Sequence, residues 1–247
     1  MRLLAVLMVL LGLSVPAYAD DERDALMQVF DDVSPSVGAL YALSSEGNFD
    51  FLCSATAVEH RDGKTVILTA YHCLRKGVSY VINFGDNVLR PLTVWKVPHY
   101  IADPDDERIY GEPETDMAFF VMDGTDVPLI PMADVDATQR GQPVAMVGYP
   151  LGVSKISYEG IVAGTFDRPG HDMADYTLLQ IYGAPGSSGS SVIDVETGKV
   201  VAVLVAARDA GIGLPVIFAT PISYRKWLAE IAPEASVGEV AAEEPAE

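Results

Sequence analysis

The sequence predicts an all-β protein built from barrels or sandwiches, and three observations carry this prediction. Ten short runs rich in β-branched and aromatic residues follow one another between residues 37 and 222. Turn sequences separate several of them, namely Asp62-Gly63, Gly85-Asp86-Asn87 and Thr197-Gly198. No long helical pattern lies between the runs, which argues against an α/β fold.

The ten runs divide into two groups of comparable size. Residues 123–141 lie between the two groups and form a polar, turn-rich segment that we interpret as a linker. We therefore place a first barrel at 35–125 and a second at 126–222. The runs themselves are 37–43, 65–71, 79–84, 117–122, 142–149, 155–166, 176–182, 190–195, 199–207 and 216–222.

Helical patterns are confined to the two flanks of the β-rich region. Residues 20–34 carry apolar side chains at helical spacing, at Leu26, Val29, Phe30 and Val33. A second short helix is predicted at 223–233, where Trp227 shares a face with other apolar residues. The acidic tail 234–247 is low in complexity, and we expect it to be disordered.

Residues 1–19 have the pattern of a signal peptide. Arg2 precedes an apolar run, and Ala17-Tyr18-Ala19 supplies the small residues of a cleavage site. A membrane anchor is the alternative, but the run is short for a membrane span. We expect a mature chain 20–247 that is periplasmic or secreted and has no membrane segment after cleavage.

The composition excludes several classes of function. The chain has 247 residues, with 16 Lys and Arg against 35 Asp and Glu, a formal net charge of -19. Such an acidic protein is not expected to bind nucleic acid or an anionic membrane surface. It has only 2 Cys and no zinc-binding pattern, so no metal or cofactor is predicted. The acidic run 103–107 is interpreted as a solvated loop, with a calcium site left open.

His72 is the histidine in the most distinctive setting. It follows an apolar run that ends at Tyr71 and directly precedes Cys73. Cys53 is the only available disulfide partner for Cys73, and export would permit the bond. Closing a loop of this length would stabilise the fold by roughly 3 kcal/mol. A fixed backbone is what a general base needs, because its imidazole must hold one geometry.

The second candidate feature is a loop rich in glycine and serine around Ser188. Gly186 and Gly189 flank this serine and allow backbone angles that other residues resist. Such a loop can turn two N–H groups toward one point beside the hydroxyl, which is the geometry of an oxyanion hole. A flexible hairpin with no catalytic role is the alternative interpretation.

The third candidate is Asp116, which enters an apolar strand and is expected to be partly buried. A buried carboxylate requires a partner, and an imidazole N–H is a suitable one. The chain order His72, Asp116, Ser188 is one of three common orders for serine nucleophiles. No histidine follows Ser188, and Ser190 stands where the GxSxG motif requires its last glycine, so the hydrolase order is excluded.

Three segments resemble motifs of the chymotrypsin-fold serine peptidases. Residues 68–73 (LTAYHC) resemble the T-A-x-H-C segment, 115–118 (TDMA) the D-[ILM]-A segment, and 186–190 (GSSGS) the G-[DN]-S-G-[GS] segment. Residues 131–152 are similar to the start of the second barrel in the bacterial HtrA/Deg branch. The resemblance covers about residues 34–230, and it implies two six-stranded antiparallel β-barrels.

The resemblance also implies a role for each candidate residue. His72 would be the general base, Asp116 its orienting carboxylate and Ser188 the nucleophile, with the N–H groups of Gly186 and Ser188 as oxyanion donors. The implied function is an exported serine endopeptidase that acts on peptides or proteins, through an acyl-enzyme and without a cofactor. One alternative is a catalytically silent pseudoenzyme that serves as a binding module. Another is an acidic extracellular β-protein with a structural Gly/Ser loop.

The sequence departs from the family at two points that bear on regulation. Ser187 stands where digestive members carry an aspartate that pairs with a newly cut N-terminus, so we expect no activation by such a cut. Too few residues follow the predicted helix at 223–233 for a PDZ domain. We therefore expect a monomer rather than the regulated assemblies of HtrA proteins.

Overall fold

The structure is a computed structural model that describes residues 18–75, 77–96, 100–101, 112–113, 116–133, 138–166, 176–209 and 215–222. Several predicted features lie outside these residues. They are the signal peptide up to residue 17, the acidic run 103–107, the helix at 223–233 and the tail 234–247.

The first half of the chain forms a closed antiparallel barrel of six strands in the order β1-β2-β3-β8-β5-β4. A separate two-stranded sheet, β6 with β7, is inserted before β8. The strands are β1 (Val37–Leu43), β2 (Phe49–Arg61), β3 (Lys64–Thr69), β4 (Ser79–Asn83), β5 (Arg90–Lys96), β6 (Tyr100–Ile101), β7 (Glu112–Pro113) and β8 (Ala118–Asp123).

The second half forms another closed antiparallel barrel, in the order β10-β11-β14-β13-β12-β9. Two six-stranded antiparallel barrels confirm the predicted fold class. The strands are β9 (Pro143–Gly148), β10 (Ile156–Phe166), β11 (Tyr176–Gln180), β12 (Ser191–Asp194), β13 (Val200–Asp209) and β14 (Pro215–Pro221).

Each barrel is filled by large apolar side chains from its strands. Leu40, Ile67 and Phe120 are fully buried in the first, and Met146 and Ile217 in the second. Closing each sheet on itself pairs every strand on both sides and leaves no free edge.

A helix packs against the barrels at the N-terminal end of the described chain. The helix α1 (Tyr18–Val33) continues into a short 3-10 turn at Ser34–Ser36. Its apolar face is the predicted one, because Val33 is buried and Leu26, Val29 and Phe30 pack on the core. Among the described residues, no helix is long and apolar enough to cross a membrane.

The segment between the barrels is bonded to both of them. Val127, Ile130 and Met132 are buried, although the surrounding sequence is polar. The Ile130 N–H donates to Ala57 O of the first barrel at 3.0 Å, and the Ala133 N–H donates to Val200 O of the second at 2.8 Å. The connection is therefore packed along both barrels in the part that is described.

Candidate active site

His72 lies in a tight turn directly after strand β3. Residues Tyr71–Cys73 form a single 3-10 turn in which the Leu74 N–H donates to Tyr71 O at 2.9 Å. Cys73 is disulfide-bonded to Cys53 of β2, with a Cα–Cα distance of 6.1 Å. The turn is thus covalently attached to the barrel wall at the residue next to the histidine.

Asp116 holds His72 at two points. Its Oδ1 accepts from the His72 backbone N–H at 2.9 Å, and its Oδ2 lies 2.7 Å from His72 Nδ1. The contact follows from the sheet, because β8 begins two residues after Asp116 and pairs with β3, with Ala118 opposite Thr69. An Nδ1–H that donates to the carboxylate leaves the other ring nitrogen, Nε2, able to accept a proton.

Ser188 is brought to the first barrel by its backbone. The Ser188 carbonyl oxygen accepts from the Ser54 N–H at 2.9 Å, and Ser54 directly follows Cys53. In the described part of the chain, Asp116 is the side chain that bonds the His72 ring, and Ser188 Oγ makes no hydrogen bond to it. Such bonds are often long without substrate and shorten only when it binds.

The loop 184–190 leaves two of its N–H groups without a protein acceptor. Four other N–H groups are bonded: Ser187 to Ala184 O, Gly189 to Leu204 O, Ser190 to Ser187 O and Ala184 to Ser187 Oγ. Within the described residues, the two unbonded donors are the N–H groups of Gly186 and Ser188. These are the two donors that the sequence predicts for an oxyanion hole.

Hydrogen bonds on the opposite side fix the peptide planes that carry these two donors. Pro185 O accepts from the Leu151 N–H at 2.6 Å, and Ser187 O accepts from the Ser190 N–H at 3.0 Å. In a planar trans peptide the N–H points away from the carbonyl of the same plane. Holding each carbonyl therefore sets the direction of the N–H of Gly186 and of Ser188.

Ser187 is fully buried and bonded within its own loop. Its Oγ accepts from the Ala184 N–H at 3.3 Å. A hydroxyl at this position has no charge with which to bind a cationic N-terminus.

Sequence reasoning missed Ser54 and the turn at Pro150–Gly152. Leu151 in that turn has φ 57, an uncommon angle for a residue with a side chain. Ser54 stands directly after a half-cystine, which was the one local clue to its place. The importance of both sites comes from contacts with the Ser188 loop, which is distant in sequence.

The two cysteines near the site are not available to bind a metal ion. Donor atoms of Cys53, His72 and Cys73 lie within 4.8 Å of one another. The two sulfurs are joined in the disulfide, so neither is a thiolate that could bind a metal.

A cationic side chain joins the two barrels behind the turn at 150–152. Lys155 Nζ donates to Phe84 O of the first barrel at 2.9 Å and to Ser34 O at 2.6 Å. It also lies 5.7 Å from the centre of the Tyr149 ring. Burial lowers the pKa of Lys155 and raises the pKa of Tyr149 to about 12.

The fold and this arrangement define a class of protein. A profile of the trypsin-like peptidase domain matches residues 53–203, more than half of the chain, so the chain belongs to that family. This match confirms the resemblance seen in the three motifs. It also supports the class of enzyme that the resemblance implied, which is a serine peptidase.

One curated relative is a probable periplasmic serine endoprotease, DegP-like, from Marinomonas sp. (strain MWYL1). It is 29% identical over 113 residues, a match that covers 44% of this chain and 24% of the relative. The chain therefore corresponds to a minor part of that protein's length.

Solved HtrA-type structures have the same fold. The HtrA-type protease AlgW with decapeptide matches with a TM-score of 0.62 at 18% identity, over 79% of this chain and 63% of that chain. The serine endoprotease from Yersinia pestis matches with a TM-score of 0.63 at 17% identity, over 83% and 65%. At this level of identity the likeness concerns the fold.

Proposed function

We propose that this protein is a serine endopeptidase in which His72, Asp116 and Ser188 form the catalytic triad. The observation that carries the proposal is the pairing of two half-sites. The first barrel supplies a histidine bonded to a carboxylate, with one ring nitrogen left to act as a base. The second supplies a serine loop with two unbonded N–H groups, and the Ser54 N–H to Ser188 O hydrogen bond joins the two.

Acylation would begin with the transfer of the Ser188 hydroxyl proton to His72 Nε2 as Oγ attacks the carbonyl carbon of the scissile bond. The carbonyl oxygen becomes an oxyanion, which accepts from the N–H groups of Gly186 and Ser188. Asp116 stabilises the imidazolium ring. The C–N bond then breaks, His72 gives its proton to the leaving amine, and an ester on Ser188 remains.

Deacylation would use the same groups with water as the nucleophile. His72 removes a proton from the water as its oxygen attacks the ester, and the same two N–H groups bind the second oxyanion. The Ser188–acyl bond breaks and His72 returns the proton to Oγ. No step requires a metal or cofactor, because every proton and electron pair is accounted for by the three side chains.

We also propose that the substrates are peptides or proteins and that the protein acts in the periplasm or outside the cell. Solved relatives of the same fold carry a bound tripeptide or decapeptide. The DegP-like relative is described as periplasmic. The Cys53–Cys73 disulfide fits an oxidising compartment, and the pattern of residues 1–19 fits export.

Labelling with a fluorophosphonate probe tests the proposed activity. The probe reacts with an activated serine, so the wild type should be labelled at Ser188 and Ser188→Ala should not. A peptide library should be cleaved by the wild type alone. Absence of both labelling and cleavage in folded wild type would favour the alternative of a silent binding module.

Activity of chain 20–247 without further cutting is expected, because Ser187 offers no carboxylate to a new N-terminus.

A further inference from the structure

We infer that Ser54 is a positioning residue that holds the oxyanion loop of the second barrel in its working shape. The inference rests on the proposed function and adds to it a residue that does not touch substrate. Ser54 lies in β2 of the first barrel and is fully buried. Every polar atom of the residue is engaged in a hydrogen bond.

The side-chain hydroxyl bridges two segments of the second barrel. Ser54 Oγ donates to Gly186 O at 2.9 Å and accepts from the Tyr149 N–H at 2.9 Å. A hydroxyl has one proton to donate, so the direction of both bonds is fixed. Ser54 thereby ties the loop with the nucleophile to the turn that follows β9.

The backbone of Ser54 makes two further hydrogen bonds. Its N–H donates to Ser188 O at 2.9 Å, and its carbonyl oxygen accepts from Thr69 Oγ1 at 2.8 Å. Thr69 is the last residue of β3, three positions before His72. Ser54 is therefore held by the strand that leads to the base while it holds the loop that carries the nucleophile.

These bonds bear on the Ser188 N–H in particular. The hydroxyl fixes the peptide between Gly186 and Ser187, and the Ser54 N–H fixes the peptide between Ser188 and Gly189. The peptide between these two carries the Ser188 N–H. With the planes on both sides fixed, this donor has little freedom to rotate away from a developing oxyanion.

The packing around Ser54 leaves no room for the loop to shift toward it. A Cβ atom built on Gly189 would overlap the Ser54 carbonyl oxygen and Thr69 Oγ1. Strand β9 is also close at its last residue, where a Cβ built on Gly148 would lie 3.0 Å from Ser54 Oγ. The loop thus approaches β2 as closely as glycine permits.

Ser54→Ala tests the inference because it removes the hydroxyl and keeps both backbone bonds. We expect kcat for an amide substrate to fall about tenfold or more, because a disordered oxyanion donor stabilises the transition state less. KM should change little. The rate of fluorophosphonate labelling should fall in parallel, since its adduct uses the same donors. The pH–rate profile should keep its shape, because the variant leaves both His72–Asp116 hydrogen bonds in place.

Ser36→Ala is the matched control. Ser36 is also fully buried, and its Oγ has no hydrogen-bond partner in the described structure. The control should keep the wild-type kcat and labelling rate. Assays belong well below the melting temperature of each variant, so that a loss of stability alone does not lower kcat.

Three outcomes separate this inference from the proposed function. A folded Ser54→Ala with wild-type kcat and labelling would overturn the role of Ser54 while the peptidase assignment stands. An unlabelled, inactive wild type would instead overturn the assignment. If Ser54→Ala does not fold, the isosteric Thr69→Val is the deciding variant. It removes the hydrogen bond from Thr69 Oγ1 to the Ser54 carbonyl oxygen. Unchanged kcat in that variant would contradict the inference.

Discussion

Asp116 holds His72 through two hydrogen bonds that have different roles. The bond to the His72 backbone N–H fixes the turn, and the bond to Nδ1 fixes the ring. The carboxylate side chain is 25% exposed and the imidazole 44%. The pair is therefore open enough on one side for substrate and shielded enough for the charge of Asp116 to act on the ring.

Asp116→Asn should lower kcat by about 10,000-fold, as the loss of an orienting carboxylate does in other triads. The amide has no charge to stabilise the imidazolium, and its NH2 group can hold the ring in the wrong tautomer. Steady-state hydrolysis of an amide substrate measures the effect. Asp123→Asn is the control, because Asp123 lies at the far end of β8 in an exposed ion pair with Lys64. Similar losses in both variants would contradict a specific role for Asp116.

The sequence singles out His72, Asp116 and Ser188 as candidates because each stands in a short motif whose neighbours are adjacent in the chain. Ser54 could not be identified in that way. Its partners Tyr149 and Gly186 are 95 and 132 positions away. A role that consists of contacts between barrels leaves no local pattern in the chain.

At the scale of elements, two turns require glycine for reasons that differ in part. Gly189 has φ +80, which favours glycine, and it also lies against the Ser54 backbone. Gly63 in the hairpin between β2 and β3 has φ +75 with nothing near its missing side chain. The two sites share the conformational demand and differ in the space available.

Gly63→Ala should therefore lower the free energy of unfolding by about 1–2 kcal/mol, the cost of a left-handed backbone angle. Gly189→Ala should lower it by at least about 3 kcal/mol, because overlap with a backbone oxygen adds to that cost. Urea unfolding of the two variants measures the difference. Equal losses would show that close packing against β2 does not matter for stability.

The strands differ in how far the sequence predicts them. The ten runs lie close to observed strands because burial leaves an apolar pattern. Strand β2 was not among them, since its buried centre is made of small residues such as Ser54 and Ala57. Strand β5 opens with Arg90-Pro91, and of its residues with described burial only Leu92 is buried, so it lacks a continuous buried apolar run. Small side chains near the site and a partly exposed strand thus explain both omissions.

At the scale of the whole molecule, charged side chains lie along the junction between the barrels. Asp86, in the turn before β5, accepts from Arg90 at 2.7 Å and from the Val88 N–H at 3.0 Å. These bonds lower the pKa of Asp86 to about 2. The same carboxylate acts on the half-buried Lys155 of the second barrel: burial lowers the pKa of Lys155, and the charge of Asp86 raises it.

The sign of the resulting pH dependence follows from the direction of the Asp86 shift. The folded pKa of about 2 is below the unfolded value of 3.8, so the ionised carboxylate stabilises the fold above that value. This contribution is lost as the pH falls through about 2. It is small, because the Asp86 side chain is 42% exposed and screened by solvent.

Asp86→Asn should therefore lower the free energy of unfolding at neutral pH, and this loss should shrink as the pH falls toward 2. The amide oxygen can still accept from the Val88 N–H, so the change removes the charge and the second hydrogen bond from Arg90. Denaturant unfolding between pH 7 and pH 2 measures the difference from wild type. Asp31→Asn, at an exposed position of α1, should show no such dependence. A loss of unfolding free energy that is the same at pH 7 and at pH 2 would contradict a contribution from the Asp86 charge.

The cystine between residues 53 and 73 bears on whether the enzyme could cleave proteins in the cytosol of its own cell. It joins the residue before Ser54 to the residue after His72, so one covalent link supports both parts of the proposed site. Cytosolic reductants keep such thiols reduced, so the disulfide does not persist there. If the chain is exported as proposed, it gains this disulfide only outside the cytosol, and cytosolic proteins meet only the form without it.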